Sequence, residues 1–250
     1  MVTLLLLGHG SSKHPDSSRS VREHAEILSQ TDCFAEVRCA FLKEEPLIEN
    51  ALDEVGEEQV IIVPDFLAEG YFTRQVVPAK LGDKLGFANI CCTPPVGTHP
   101  MMAEIINDMA REVLGDWTVE QTSLLVVGHG SGKNPCSKQS LLGHLQEVRN
   151  NTDFAQVADL WLEELPLVSS WKEVATQRHI IVIPYLLNDG QHGGWDIPAE
   201  LGLSLDQQIH GQTHDVESHQ IRLTPALGTS PRFAEVISQL AEIWGQTSGQ

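Results

Sequence analysis

Leu4-Leu5-Leu6-Leu7-Gly8-His9-Gly10-Ser11 recurs 120 positions further on as Leu124-Leu125-Val126-Val127-Gly128-His129-Gly130-Ser131. A short apolar run that stops at a glycine pair reads as a strand buried on both faces and followed by a tight turn. Working outward, Val60-Ile61-Ile62-Val63-Pro64 returns as Ile180-Ile181-Val182-Ile183-Pro184 at the same offset, and Pro78-Ala79-Lys80-Leu81-Gly82 returns as Pro198-Ala199-Glu200-Leu201-Gly202. Such regular recurrence means two copies of one unit. The expected architecture is α/β: tandem domains at 1–118 and 119–250, each a parallel sheet flanked by helices, facing one another across an inter-domain cleft.

Both copies present their signals in the same order. Helices are expected over 20–29, where Val21, Ala25 and Leu28 fall at helical spacing, and over 138–150. Strands follow at 36–41 and 156–162, then Pro46 and Pro166, read as first turns of helices. The third strands, 59–63 and 179–183, are mostly β-branched and so buried on both faces. Further helices start at Pro78 and Pro198, and amphipathic helices over 101–114 and 231–244 close the copies, with the link at 115–122. The period then breaks. Thr93-Pro94-Pro95-Val96-Gly97-Thr98 corresponds to Thr224-Pro225-Ala226-Leu227-Gly228-Thr229 at an offset of 131, so the second copy carries about eleven extra residues. They are assigned to a solvated insertion at 206–220, whose His210, His214 and His219 lack the register of a metal site.

Composition narrows the function. The 250 residues are 41% apolar, enough for two small domain cores, and 34 acidic against 16 basic residues give a formal net charge of −18. That balance disfavours nucleic acid and anionic membrane surfaces as partners. The apolar start, Met1-Val2-Thr3-Leu4-Leu5-Leu6-Leu7, lacks a basic flank and is too short for a signal peptide or a span. Five cysteines without CxxC spacing suggest neither a disulfide framework nor a zinc knuckle, and vicinal Cys91-Cys92 falls on an expected strand. The chain reads as cytoplasmic.

His9 and His129 each end a buried strand, at the carboxyl edge where parallel sheets collect functional groups. Their flanking glycines permit a tight turn, and the spacing is not that of a phosphate loop. His192 lies in Pro184-Tyr185-Leu186-Leu187-Asn188-Asp189-Gly190-Gln191-His192-Gly193-Gly194-Trp195-Asp196-Ile197-Pro198, just past another strand of the second copy. Two strand ends of one sheet can bring His129 and His192 to one ion, and two imidazoles with a carboxylate suit Co²⁺, Fe²⁺, Ni²⁺ or Zn²⁺. Glu163 or Glu164 could supply the carboxylate, with Glu44 and Glu45 read as their equivalents; for most of these four the better account is an acid at a helix start. Asp196 is read as a helix cap or as the residue orienting His192. In the first copy Phe66-Leu67-Ala68-Glu69-Gly70-Tyr71-Phe72 keeps the frame and puts Phe72 where the second has His192.

With these motifs the chain resembles the CbiX/SirB group of class II tetrapyrrole chelatases, in its long two-repeat form. The carriers are the paired Gly-His-Gly-Ser, Phe41-Leu42 with Glu45-Pro46, the run ending at Pro198, and Pro95-Val96-Gly97-Thr98-His99-Pro100. The resemblance implies two flavodoxin-like, chelatase-type domains and a lyase that inserts Co²⁺ or Fe²⁺ into sirohydrochlorin, in cobalamin or siroheme biosynthesis. The metal is then a substrate, with Ni²⁺ as a further option, and no permanently bound cofactor is needed. His129 and His192 would hold the ion or accept pyrrole protons, Glu163 as a ligand or Glu164 as a catalytic group would supply the assisting carboxylate, and His9 would either face the macrocycle or be a relic of the duplication. Sirohydrochlorin carries eight carboxylates, for which Lys13, Arg19, Arg22, Ser131, Lys133 and Lys138 are the candidate donors. A monomer suffices for a fused duplication, and a homodimer remains open. Two other readings stand beside this one: a chelatase for another tetrapyrrole, and a tetrapyrrole or metal carrier without turnover.

Overall fold

The computed structural model describes residues 2–12, 15–53, 58–130, 135–204 and 210–247. The first repeat runs β1 (Thr3–Gly8), α1 (Arg19–Ser29), β2 (Glu36–Phe41), α2 (Ile48–Ala51), β3 (Val60–Pro64), α3 (Val77–Leu81), β4 (Ile90–Cys92) and α4 (Met101–Glu112). The second runs β5 (Thr122–Gly128), α5 (Pro135–Asn150), β6 (Gln156–Trp161), α6 (Trp171–Val174), β7 (His179–Tyr185), α7 (Ile197–Glu200), β8 (Thr213–Val216), β9 (His219–Leu223) and α8 (Arg232–Thr247).

Strands alternating with helices yield parallel sheets, as the pattern requires. The first sheet has the order β2-β1-β3-β4 and the second β6-β5-β7-β9-β8. Every pairing is parallel except β8 with β9. The apolar runs that announced the repeat are the central strands, with Leu4 to Leu7 and Leu124 to Val127 buried. In each sheet the Gly-His-Gly turn therefore sits at the carboxyl edge, beside the end of the third strand, where an α/β fold places its chemistry.

The compact units divide the chain differently from the repeats at 1–118 and 119–250. One comprises residues 1–99 with 231–250, the other 100–230. The closing helix of each repeat thus belongs to the unit built on the other repeat's sheet. In the first unit α8 packs on α1 and β3; in the second α4 packs on α5 and β7. Their buried faces, Met102, Ile105, Ile106 and Met109 on α4 and Phe233, Val236, Ile237 and Leu240 on α8, supply the apolar stripe that a sheet-covering helix needs.

Two sequence expectations are corrected. Pro46 and Pro166 do not open helices: both follow cis peptide bonds, and their carbonyls accept hydrogen bonds from Phe41 and Trp161 at 2.9 Å. That tie keeps the segment extended through Leu47 and Leu167, and helix begins only at Ile48 and Val168. The extra residues of the second copy are not wholly a solvated loop. Their described part forms the β8–β9 hairpin, because Thr213-His214-Asp215-Val216 pairs with the edge of β9 and lengthens the sheet. Cys92 lies on β4 as expected, and burial pushes its thiol up to about 12, which leaves it unreactive. No described helix is long and apolar enough to cross a membrane.

Candidate active site

The turn after β5 places His129. Gly130 adopts φ 79°, a left-handed conformation that favours glycine, and Gly10 adopts φ 63° in the first unit. The His129 carbonyl accepts from the Glu163 amide at 3.0 Å, so the ends of β5 and β6 are stitched together. The segment after β7 is also packed closely: a Cβ on Gly228 would lie 2.5 Å from the Leu187 backbone.

His192 stands on a wide helical turn, His192–Asp196, that follows β7 and leads into α7. The two imidazoles meet edge to face, ring centroids 4.8 Å apart at 85°. Each ring is fixed by its Nδ1. His129 Nδ1 donates to the Gly130 carbonyl at 2.9 Å, and His192 Nδ1 lies 2.7 Å from Asp196 Oδ2. A carbonyl or carboxylate oxygen can only accept, so Nδ1 carries a proton, and in the neutral tautomer this contact selects, Nε2 holds the lone pair. Two neutral imidazoles with free Nε2 atoms are competent to receive a metal ion or a proton. A pocket of about 350 Å³ opens beside His192, lined among others by Trp161, Glu163, Leu167 and Asp196.

The remaining expected residues fall in different places. Glu163 Oε2 lies 3.9 Å from His129 Nδ1, the edge already bound to Gly130, rather than beyond Nε2. Among the described residues no three histidine, cysteine or carboxylate side chains form a ready-made metal set. The expected third ligand therefore sits behind the His129 ring, on its Nδ1 side. Glu164 is a brace: its carboxylate pairs with Lys138 at 3.3 Å, and its stem packs beneath Gly130. Lys138 is held by that pair and lies over the Trp161 ring, so it is not an open anion donor. In the first unit Glu44 does the same work, accepting from Ser11 N, Ser18 and Arg22. Burial raises its pKa, but those three hydrogen bonds outweigh it and hold the carboxyl below the usual glutamate value. Arg22 is thereby committed, and Arg19 pairs with Asp16 at 2.6 Å. Lys13, Ser131 and Lys133 lie outside the described residues.

His9 keeps the position of His129, with Nδ1 2.9 Å from the Gly10 carbonyl. Burial lowers its pKa, the Gly10 hydrogen bond opposes this, and Lys43 lowers it further. The register pairs Gly8 with Phe41 and Gly128 with Trp161, so Glu163 corresponds to Lys43 and Glu164 to Glu44. This corrects the reading of Glu44 and Glu45 as the equivalents. Sequence reasoning missed Lys43, which the offset of 120 applied to Glu163 would have found. It also passed over Trp195, which is 60% exposed on the turn that carries His192.

Fold and site together define a duplicated α/β protein with a histidine pair at the carboxyl edge of its second sheet. The chain belongs to the CbiX family, whose model matches residues 3–113 and again 123–243. A relative from Halobacterium salinarum, named a probable sirohydrochlorin cobaltochelatase, is 32% identical over 273 residues, covering 100% of this chain and 94% of its own. The sirohydrochlorin cobaltochelatase of Methanopyrus kandleri is 29% identical over 143 residues, 46% of this chain and 99% of its own, so its length is close to that of one repeat. Among solved structures, a multi-domain protein of Deinococcus radiodurans described as similar to chelatases gives a TM-score of 0.80 at 26% identity, over 96% of this chain and 55% of that longer one. SirB from Bacillus subtilis, solved with Fe³⁺, gives 0.77 at 19% identity over 100% of this chain and 98% of its own, a likeness of fold.

Proposed function

We propose that this protein inserts a divalent metal, Co²⁺ or Fe²⁺, into sirohydrochlorin at the carboxyl edge of its second sheet. The observation that carries the reading is the His129–His192 pair, in which both Nδ1 atoms are occupied and both Nε2 atoms are left as bases. Insertion exchanges two pyrrole N–H protons for one M²⁺, so the site must present an ion and accept protons. An imidazole nitrogen can do either. Asp196 keeps the His192 ring in one orientation, with Nδ1 turned to the carboxylate. The Gly130 carbonyl does the same for His129. The metal enters as substrate and leaves in the product, so an open ligand set suits the reaction better than a closed structural one. Co²⁺ is the metal proposed first, because the names of the Halobacterium and Methanopyrus relatives both carry it; that places the product on the way to cobalamin, whereas Fe²⁺ would place it on the way to siroheme.

The test is the anaerobic change in sirohydrochlorin absorbance with Co²⁺ and with Fe²⁺. Catalysed insertion is expected, with the faster metal naming the pathway. Rates no greater than the uncatalysed reaction with both metals would overturn the reading.

A further inference from the structure

At the carboxyl edge of the first sheet, the groups of the second are replaced one for one. His9 holds the place of His129, Phe72 that of His192 and Lys43 that of Glu163. The geometry survives the change of chemistry. His9 and Phe72 meet at 4.6 Å and 84°, against 4.8 Å and 85° for the histidine pair. The Lys43 ammonium lies 5.8 Å from the centre of the Phe72 ring, within cation–π range. Phe66 stacks on Phe72 at 6.5 Å, and Tyr71, 60% exposed, meets its edge at 5.6 Å.

A carboxylate exchanged for an ammonium repels a divalent cation, and a phenyl ring offers it no ligand. This edge has therefore lost the means to hold a metal. What it offers is a small aromatic surface with an exposed positive charge. The charge is also open. Every other described lysine and arginine of this unit has a carboxylate partner within 4.0 Å, whereas no ion pair or hydrogen bond to the Lys43 side chain is found among the described residues. In a chain of net charge −18, such a cation stands out against its surroundings.

We propose that this edge is an anchoring site for a planar polycarboxylate, with Lys43 binding a carboxylate and Phe72, Tyr71 and His9 supplying ring contacts. The chemical class is an acidic tetrapyrrole, and this identification rests on the proposed function above. Lys43 acts on affinity and touches no reacting atom.

The test is equilibrium binding of metal-free sirohydrochlorin, followed by its absorbance, to the full-length wild type and to Lys43→Glu, Lys43→Arg and Lys172→Glu. Lys172→Glu, in the other unit, changes net charge equally and serves as the control. Lys43→Glu is expected to weaken binding about tenfold and to raise KM with kcat little changed. Lys43→Arg should stay within about twofold of wild type, as should Lys172→Glu. The loss should shrink as salt is raised, because an exposed charge contact is screened. Wild-type affinity in Lys43→Glu, or an equal loss in Lys172→Glu, overturns the anchoring site while leaving metal insertion intact. No binding by the wild type overturns both.

Discussion

At the scale of the residue, the site depends on which nitrogen each histidine presents. Asp196 fixes that for His192, so Asp196→Ala should free the ring and lower kcat for metal insertion about 10–100-fold, the range seen when a carboxylate behind a coordinating imidazole is removed. An unchanged kcat in steady-state assays would mean that the ring is held by packing alone. Glu44 offers a separate test of the braced turn. Its folded pKa is depressed, so its contribution is complete above the ordinary value of 4.5 and is lost as pH falls through the folded pKa. Glu44→Gln should therefore cost about 1–2 kcal/mol at neutral pH, and the gap from wild type should close below pH 4.5 in denaturant titrations. Both histidines were legible in the sequence, since each follows a strand whose apolar run repeats. The roles of the acids were not. Two adjacent acids in each copy, Glu44-Glu45 and Glu163-Glu164, invite a match one position out; the offset of 120 and the strand register agree in pairing Lys43 with Glu163 and Glu44 with Glu164.

At the scale of the element, the closing helices carry information that the repeat conceals. Both α4 and α8 have an apolar stripe that would fit either sheet, so periodicity predicts each helix correctly and says nothing of which sheet it covers. Phe233 is fully buried in the first unit, stacked on His24 at 5.3 Å. Phe233→Ala should cost about 3–5 kcal/mol, with amide exchange accelerating in β1 and β3. Acceleration confined to β5 and β7 would contradict the assignment of α8 to the first unit. In the second unit Arg222 secures the other helix: its guanidinium donates to the carbonyls of Val113 and Leu114, pairs with Asp116 and lies 3.9 Å over Trp117. The hairpin that holds this contact was hidden as well. Its polar strand β8 lies at a sheet edge, where water accepts hydrophilic side chains and no apolar alternation marks the sequence.

At the scale of the whole molecule, duplication has let two copies of one unit diverge. The second keeps His129, His192 and Glu163; the first has His9, Phe72 and Lys43 in their places. One equivalent of Co²⁺ per chain is therefore expected in anaerobic calorimetry, and two equivalents with similar affinity would show that the first edge still holds metal. The central claim is that insertion takes place at the histidine pair of the second unit. It is tested most directly by the rate of Co²⁺ insertion into sirohydrochlorin by His192→Ala relative to wild type, with circular dichroism confirming that the variant is folded. The account predicts a fall of about 100-fold or more, the usual contribution of a positioned acid–base group. A folded His192→Ala protein that inserts metal at the wild-type rate would contradict it.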